Sequence, residues 1–150
     1  MRLELTKRGD YAVRAMLALT RGAGNGLQSS RRIADAMDIP VRFLPQVLAD
    51  LQRAGLIEAA PGRAGGYKLS RDPEALTLLE VVEAVEGDSR RQSCVLRGGP
   101  CGVDGFCDVH AVFFEGQEAL RGTFARSTMA ELARHGTRPT DASIADAAAG

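Results

Sequence analysis

Three amphipathic stretches, separated by short breaks, occupy the first 54 residues and constrain the fold more than any other feature of the sequence. Apolar residues recur in each stretch at a spacing of three to four, so each predicts a helix with one buried face. Gly55 ends the third stretch, and Pro45 lies near its first turn, where a missing N–H costs least. The predicted helices cover residues 10–21, 31–37 (with Ser30 as N-cap) and 41–54.

Two short apolar runs around a glycine-rich turn follow the third predicted helix. Residues 56–60 and 67–69 predict strands, and the turn at 61–66 carries Arg63. Such a pair predicts an antiparallel hairpin. The order helix, helix, turn, helix, hairpin is that of a winged helix-turn-helix. The sequence therefore predicts a mainly α, DNA-binding fold in which the two-stranded hairpin is the wing.

The second half of the chain predicts further helices around a long loop. Residues 78–85, capped by Thr77, and residues 108–125 have helical periodicity, and a capping box predicts a short helix from Thr128 to about residue 133. The twenty residues 87–106 have no sustained period, which is unusual unless the loop has a function. We therefore expect a winged helix-turn-helix domain, a cysteine-rich loop, a long dimerisation helix with a short C-terminal helix, and a disordered tail: residues 1–86, 87–107, 108–135 and 136–150.

Charge divides the chain into a basic and an acidic half, although the formal net charge is zero. Residues 1–72 hold 12 Lys and Arg against 7 Asp and Glu, whereas residues 73–150 hold 7 against 12. This asymmetry indicates that the first half meets a polyanion. No stretch approaches the roughly 20 apolar residues of a membrane-spanning helix, and the N-terminus lacks the apolar core of a signal peptide. We therefore expect a cytoplasmic protein with no membrane partner.

The start of the third predicted helix carries the best candidates for reading a DNA sequence. Arg42 and Gln46 are polar there, and such side chains form bidentate contacts to guanine and adenine in the major groove. Arg63, on the glycine-rich wing tip, can approach the minor groove or a phosphate. Any one of these residues could be an ordinary solvated side chain, but the whole arrangement favours DNA. Five more basic residues are expected to neutralise phosphates: Lys7, Arg8, Arg31, Arg32 and Lys68.

The three cysteines of the chain, Cys94, Cys101 and Cys107, lie within fourteen residues. Clustered thiolates favour an iron–sulfur cluster, zinc or copper(I), and zinc sites usually contain a close Cys-x-x-Cys pair, which is missing from this sequence. A fourth ligand is required. The candidates are His110, three residues beyond Cys107, and Asp10, which is most simply the N-cap of the first helix.

Together these segments resemble one family, the winged-helix regulators typified by the iron–sulfur cluster regulator IscR and the nitric-oxide-sensitive repressor NsrR. The resemblance runs from Met1 to about Ala133. It is carried by the opening of the chain, the third helix and its end, the wing and the three-cysteine loop: residues 5–16, 43–48, 51–56, 62–67 and 94–107.

The resemblance implies a homodimer joined through the helix at 108–125 and a cluster whose state controls operator affinity. It implies two alternative ligand sets. Cys94, Cys101, Cys107 and His110 would hold a [2Fe-2S] cluster, whereas Asp10 reaching from the partner subunit, in place of the histidine, would complete a [4Fe-4S] site. We favour the first set, because Cys107-x2-His110 followed by alanine resembles the IscR pattern.

We therefore expect a homodimeric transcriptional regulator, a repressor rather than an enzyme, that senses nitric oxide, redox state or the supply of iron. A regulator that senses oxidants through its thiols without a cluster, or that binds zinc, is the alternative. A small thiol oxidoreductase is a remote alternative, because the chain has no Cys-x-x-Cys motif and only two histidines.

Overall fold

The computed structural model describes residues 4–88, 107 and 109–135, so the expectations for most of the cysteine loop and for the tail lie outside the described residues. Within these residues the chain is mainly helical with one small antiparallel sheet. In chain order the elements are α1 (Lys7–Arg21), α2 (Ser30–Met37), α3 (Leu44–Arg53), β1 (Ile57–Ala60), β2 (Gly66–Leu69), a 3₁₀ turn (Pro73–Ala75), α4 (Leu78–Glu86), α5 (His110–Arg126) and α6 (Met129–Arg134).

Helix α1 begins three residues earlier than its apolar periodicity predicts. Thr6 is its N-cap, and the Thr6 hydroxyl accepts a hydrogen bond from the Gly9 N–H at 3.2 Å. Asp10 lies within the first turn, so the expectation that it caps the helix is wrong. Periodicity detects the buried face of a helix, and the exposed residues Lys7 and Arg8 add nothing to that face.

The starts of α2 and α3 differ from prediction by one and three residues. Ser29, not Ser30, caps α2. Residues 41–43 form a turn rather than helix, and α3 begins at Leu44. Pro45 accordingly lies in the first turn of α3, as predicted, where no intrahelical hydrogen bond is lost.

The hairpin β1–β2 is antiparallel, as predicted, with Ala60 opposite Gly66. A further backbone bridge joins Tyr67 to Gln28, whose carbonyl accepts the Tyr67 N–H at 2.8 Å. Gly66 has a φ of 152°, and a Cβ at this position would come within 2.5 Å of the Gln28 carbonyl oxygen. Glycine at position 66 therefore allows the wing to pack against the segment between α1 and α2.

Helix α1 is the centre of the core and packs against α2, α3, α4 and α6. The predicted Thr77 cap of α4 and the predicted Thr128–Glu131 capping box of α6 are both present, and a backbone bridge joins Thr77 to Thr128. The core thus fixes α3 and the wing on one rigid support. Large, fully buried side chains include Met16, Leu19, Ile33, Leu44, Leu48, Leu51, Ile57, Val81 and Met129.

Candidate nucleic-acid interface and metal ligands

The turn before α3 presents Arg42 on an aromatic support. Its guanidinium carbon lies 4.7 Å from the centroid of the Phe43 ring, a cation–π distance. The Phe43 ring stacks in turn on Tyr11 of α1, with 5.8 Å between the ring centroids. Since Phe43 is 43% exposed, this support lies at the surface. Arg42 is therefore in an exposed turn rather than in the helix, where the sequence predicted it.

A buried carboxylate, Asp50, lies next to the polar side chains of α3. Only 4% of the residue is exposed. Its Oδ1 accepts hydrogen bonds from Gln46 Nε2 at 3.1 Å and Arg53 Nη1 at 2.9 Å, and its Oδ2 accepts from Arg8. Burial by itself would raise the pKa of Asp50, but the hydrogen bonds from Arg8, Arg53 and Gln46 outweigh it and hold this pKa below its ordinary value. Two predicted DNA-contacting residues thus converge on one ionised group.

Asp50 is a residue of the candidate site that the sequence pattern does not single out. Acidic residues are rarely buried unless they are paired, so an aspartate on a helix is ordinarily taken as a surface residue. Its spacing of four from Gln46 and three from Arg53 was the available signal, because such residues are neighbours on a helix surface. The third partner, Arg8, is 42 residues away, and only the packing of α1 against α3 brings it to Asp50.

Besides Arg8, three of the predicted phosphate-binding residues lie in the first turns of α1 and α2. Lys7, Arg31 and Arg32 are exposed there. Arg31 approaches Asp35 at 3.9 Å, but both side chains are largely in solvent, so this ion pair is weak. These positions place three cationic groups at the surface without committing them strongly to partners in the chain.

The wing carries the other two basic candidates. Arg63 is exposed in the turn between β1 and β2. Lys68 lies directly opposite Glu58 in the hairpin, and its Nζ is 3.2 Å from the glutamate Oε2. Because Glu58 offsets the Lys68 charge, Arg63 is the stronger candidate of the two for a contact to DNA.

Two of the four favoured metal ligands, Cys107 and His110, are described, whereas Cys94 and Cys101 lie outside the described residues. The Cys107 carbonyl accepts the His110 N–H at 3.1 Å, which places the two residues one turn apart at the start of α5. The exposed His110 ring stacks on Phe114 with 6.2 Å between centroids. A thiol and an imidazole at one end of a helix are donors that suit an iron–sulfur or zinc site.

Asp10, the alternative ligand, is paired within its own chain. Its Oδ1 accepts a hydrogen bond from Arg14 Nε at 2.8 Å, and Arg14 also donates to the Met37 carbonyl at 3.4 Å. Ligation by Asp10 would compete with this ion pair. Among the described residues, which omit two of the three cysteines, no three His, Cys, Asp or Glu side chains lie close enough together to hold a metal ion.

Helix α5 packs against α4, where Arg121 pairs with Glu83. None of its residues, all of which the structure describes, is buried. A run of apolar side chains at the surface marks a site of interaction with another molecule. The exposed apolar side chains of α5 are Val112 at 70%, Phe114 at 55%, Phe113 at 42% and Leu120 at 37%.

Over the described ranges, no helix is both long enough and apolar enough to cross a membrane.

The first turn of α1 is bound to the end of α4. Glu86 Oε1 accepts hydrogen bonds from the Thr6 N–H at 2.8 Å and from the Thr6 hydroxyl at 2.6 Å. This carboxylate lies over Gly9, where an added Cβ would come within 2.2 Å of the same oxygen. The negative charge of Glu86 also suits the positive end of the α1 dipole. The last residue of α4 therefore holds the start of α1, immediately before the segment that contains the cysteines.

Residues 5–135 match the sequence profile of the Rrf2 family, described as iron-dependent transcriptional regulators. The chain belongs to the Rrf2 family. The transcriptional regulator IscR of Cereibacter sphaeroides is 42% identical over 86 residues, which are 56% of this chain and 56% of that relative. The match thus spans about half the length of that relative. IscR of Klebsiella pneumoniae is 32% identical over 130 residues, covering 87% of this chain and 79% of the relative.

Solved structures share the fold of this Rrf2 chain. CymR, the global cysteine regulator of B. subtilis, has a TM-score of 0.75 and 23% identity, with 91% of this chain and 100% of CymR covered. IscR of T. potens has a TM-score of 0.74 and 24% identity, with 90% and 89% covered. The predicted family and the mainly α winged-helix fold are confirmed. This Rrf2 chain is a transcriptional regulator, not an enzyme, so the oxidoreductase alternative is dropped.

Proposed function

We propose that this Rrf2 regulator binds a duplex DNA operator as a homodimer and that an iron–sulfur cluster controls its affinity. The observation that carries the proposal is the exposed polar surface at the start of α3. Arg42 lies on the Phe43 ring in the turn before the helix, and Gln46 of α3 shares one buried carboxylate with Arg8 of α1. A helix fits the major groove, where arginine and glutamine read base edges. Arg42 and Gln46 are therefore the proposed sequence-reading residues.

The remaining basic residues have positioning roles in this proposal. Arg63 at the wing tip contacts the minor groove or a phosphate, because the glycines beside it permit a close approach of the backbone. The others neutralise phosphates and set the register of the protein on the duplex. They are Lys7, Arg8, Arg31, Arg32 and Lys68.

The exposed apolar side of α5 supports the homodimer. Phe113 and Leu120 are seven residues apart and so lie on one face of the helix, with Gly116 between them. A second copy of the same helix would bury these side chains in an interface with two-fold symmetry. In such a dimer each α3 and wing would meet one half of the operator.

Cys94, Cys101, Cys107 and His110 are the proposed ligands of a [2Fe-2S] cluster. The described pair, Cys107 and His110, supports this set, since both donors are at the start of α5. Asp10 as fourth ligand of a [4Fe-4S] cluster is the alternative, weakened by its ion pair with Arg14. When bound, such a cluster would supply the redox-active iron centre that the proposed sensing of nitric oxide or oxidants requires.

The contacts at the start of α1 supply the regulatory connection in this proposal. The chain between residues 87 and 109 links α4 to α5, and Glu86 at its beginning holds Thr6. A rearrangement of this link would shift Glu86, and with it the first turn of α1, which carries Lys7 and Arg8. Because half-sites lie about one helical turn, ~34 Å, apart, a small change in the spacing of the two α3 helices weakens specific binding.

Anaerobic purification of the full chain tests the cluster. We expect coloured protein with iron and sulfide in equal amounts, and loss of both in Cys101→Ala with an unchanged circular dichroism spectrum. His110→Ala should weaken cluster retention, whereas His135→Ala, a change of the only other histidine, should not. Zinc in place of iron, or a colourless protein without metal whose DNA binding responds to oxidants, would replace the cluster with the zinc or thiol alternative.

A further inference from the structure

We infer that Asp50 is a positioning residue for DNA recognition, which fixes the orientation of the Gln46 amide and couples it to Arg8. The inference rests on the proposed DNA-binding function and goes beyond it. It concerns a side chain that is buried and that touches no DNA itself.

An ionised carboxylate only accepts hydrogen bonds. Asp50 is held in this form by three donors, and its Oδ1 lies 3.1 Å from the Gln46 nitrogen. The amide nitrogen, and not the amide oxygen, must therefore face Asp50. An isolated glutamine can turn its amide over at little cost, but Gln46 beside this carboxylate cannot.

The orientation has a direct consequence for base recognition. The Gln46 NH₂ group has two hydrogens, and Asp50 takes one. One N–H donor and the Oε1 acceptor remain, and both are available because Gln46 is exposed. A donor beside an acceptor is the pair that adenine requires at its N7 and N6 positions. Asp50 thus fixes the Gln46 amide in one of its two orientations, so the positions of the N–H donor and the Oε1 acceptor along the groove cannot be exchanged.

The second oxygen of Asp50 extends the arrangement to α1. Oδ2 accepts a hydrogen bond from Arg8, a proposed phosphate contact, so a base-reading and a backbone-binding side chain are joined through one rigid group. Since Asp50 is buried, it moves only with the helix backbone. A contact between Arg8 and a phosphate would therefore also fix the position of Gln46 relative to the bases.

The test uses the full-length protein and an operator selected from random duplexes with the wild type. Gln46→Ala identifies the base pair that Gln46 reads. A bidentate contact gives a discrimination of about 5- to 150-fold. We expect Asp50→Asn to remove most of this discrimination at that base pair and to have no further effect on it in the Gln46→Ala background. Arg53→Ala removes another partner of the same carboxylate and should leave the base preference intact.

Each outcome decides a different point. A wild type without any sequence preference overturns the proposed function itself. A preference that Asp50→Asn leaves unchanged, even with lower affinity for all sequences, overturns the positioning role. If Asp50→Asn does not fold, the wild type decides by NMR. One of the two Gln46 side-chain N–H protons should exchange more slowly with solvent than the other, and equal exchange of both protons contradicts the inference.

Discussion

Helices α3 and α5 both carry large apolar side chains, yet the chain buries those of only one of the two helices. Five of the ten residues of α3 are buried, whereas none of the seventeen in α5 is. The apolar side of α3 is buried inside the chain, and its polar side remains exposed and free to contact a ligand. The large apolar side chains of α5 are not buried inside the chain, which agrees with the proposed contact to a second copy. In the proposed function, α3 thus serves both the fold and DNA binding, and α5 serves assembly.

The largest expected effect comes from truncating the buried face of α3. Leu48 is fully buried, so Leu48→Ala should lower the free energy of unfolding by about 2–5 kcal/mol, through lost apolar burial and the cavity that remains. Gln52→Ala, at an exposed position of the same helix, should change it by about 0.5 kcal/mol or less. Urea unfolding followed by circular dichroism measures both. Equal effects of the two substitutions would contradict the assignment of the faces.

Truncating α5 should act on assembly instead of folding. Phe113→Ala removes an exposed ring from the proposed interface and should raise the dimer dissociation constant by about 30-fold or more, as for an interface hot spot of 2 kcal/mol. Glu115→Ala, an exposed change on the same helix, is the control. Analytical ultracentrifugation gives the association state. A wild type that is monomeric at all concentrations would contradict the proposed dimer.

Removing the charged group before α3 should affect one operator position. Arg42→Ala should cost about 1–3 kcal/mol of discrimination at a single base pair, because a bidentate contact to guanine is lost. Arg21→Ala, at the opposite end of α1 from Lys7, should leave the base profile unchanged. Competition binding with operators changed one base pair at a time measures this profile. If Arg42→Ala preserves it, Arg42 contacts phosphate or solvent only.

The smallest expected effect is a pH dependence due to Asp50. Its pKa is lower in the folded chain than its ordinary value of 3.8, so the stabilising contribution is complete above about pH 5 and is lost progressively as the pH falls to and through the folded pKa. Asp50→Asn should therefore flatten the acid side of the plot of unfolding free energy against pH. Parallel curves for wild type and variant would show that the three partners do not stabilise the ionised form of Asp50.

The two helices also differ in how far the sequence predicts them. The periodicity of residues 41–54 predicts the buried side of α3, since Leu44, Val47, Leu48 and Leu51 all lie in the core. It misplaces the start, because Val41 and Phe43 are apolar but belong to an exposed turn. For α5, periodicity predicts the helix but not its exposure. The family resemblance predicts the dimer, and the apolar pattern does not, because a helix face buried by a partner has the same periodicity as a face buried within the chain.

The candidate site was predictable residue by residue but not in its connections. Arg42 and Gln46 follow from their residue types and their place near the third helix. The convergence of Gln46 and Arg8 on Asp50 does not, because it depends on how α1 crosses α3. The contact of Glu86 with Thr6 joins residues 80 apart in the same way. Long-range polar contacts of this kind require the packed structure.

Operator affinity before and after removal of the cluster tests the central claim most directly. The anaerobic protein is titrated against the selected operator at fixed salt, first as purified and then after the iron is removed by a chelator under the same conditions. If the cluster controls operator affinity, the two dissociation constants should differ by about 5- to 150-fold, the usual range of coupling between two sites. Equal dissociation constants for the two forms would contradict this claim.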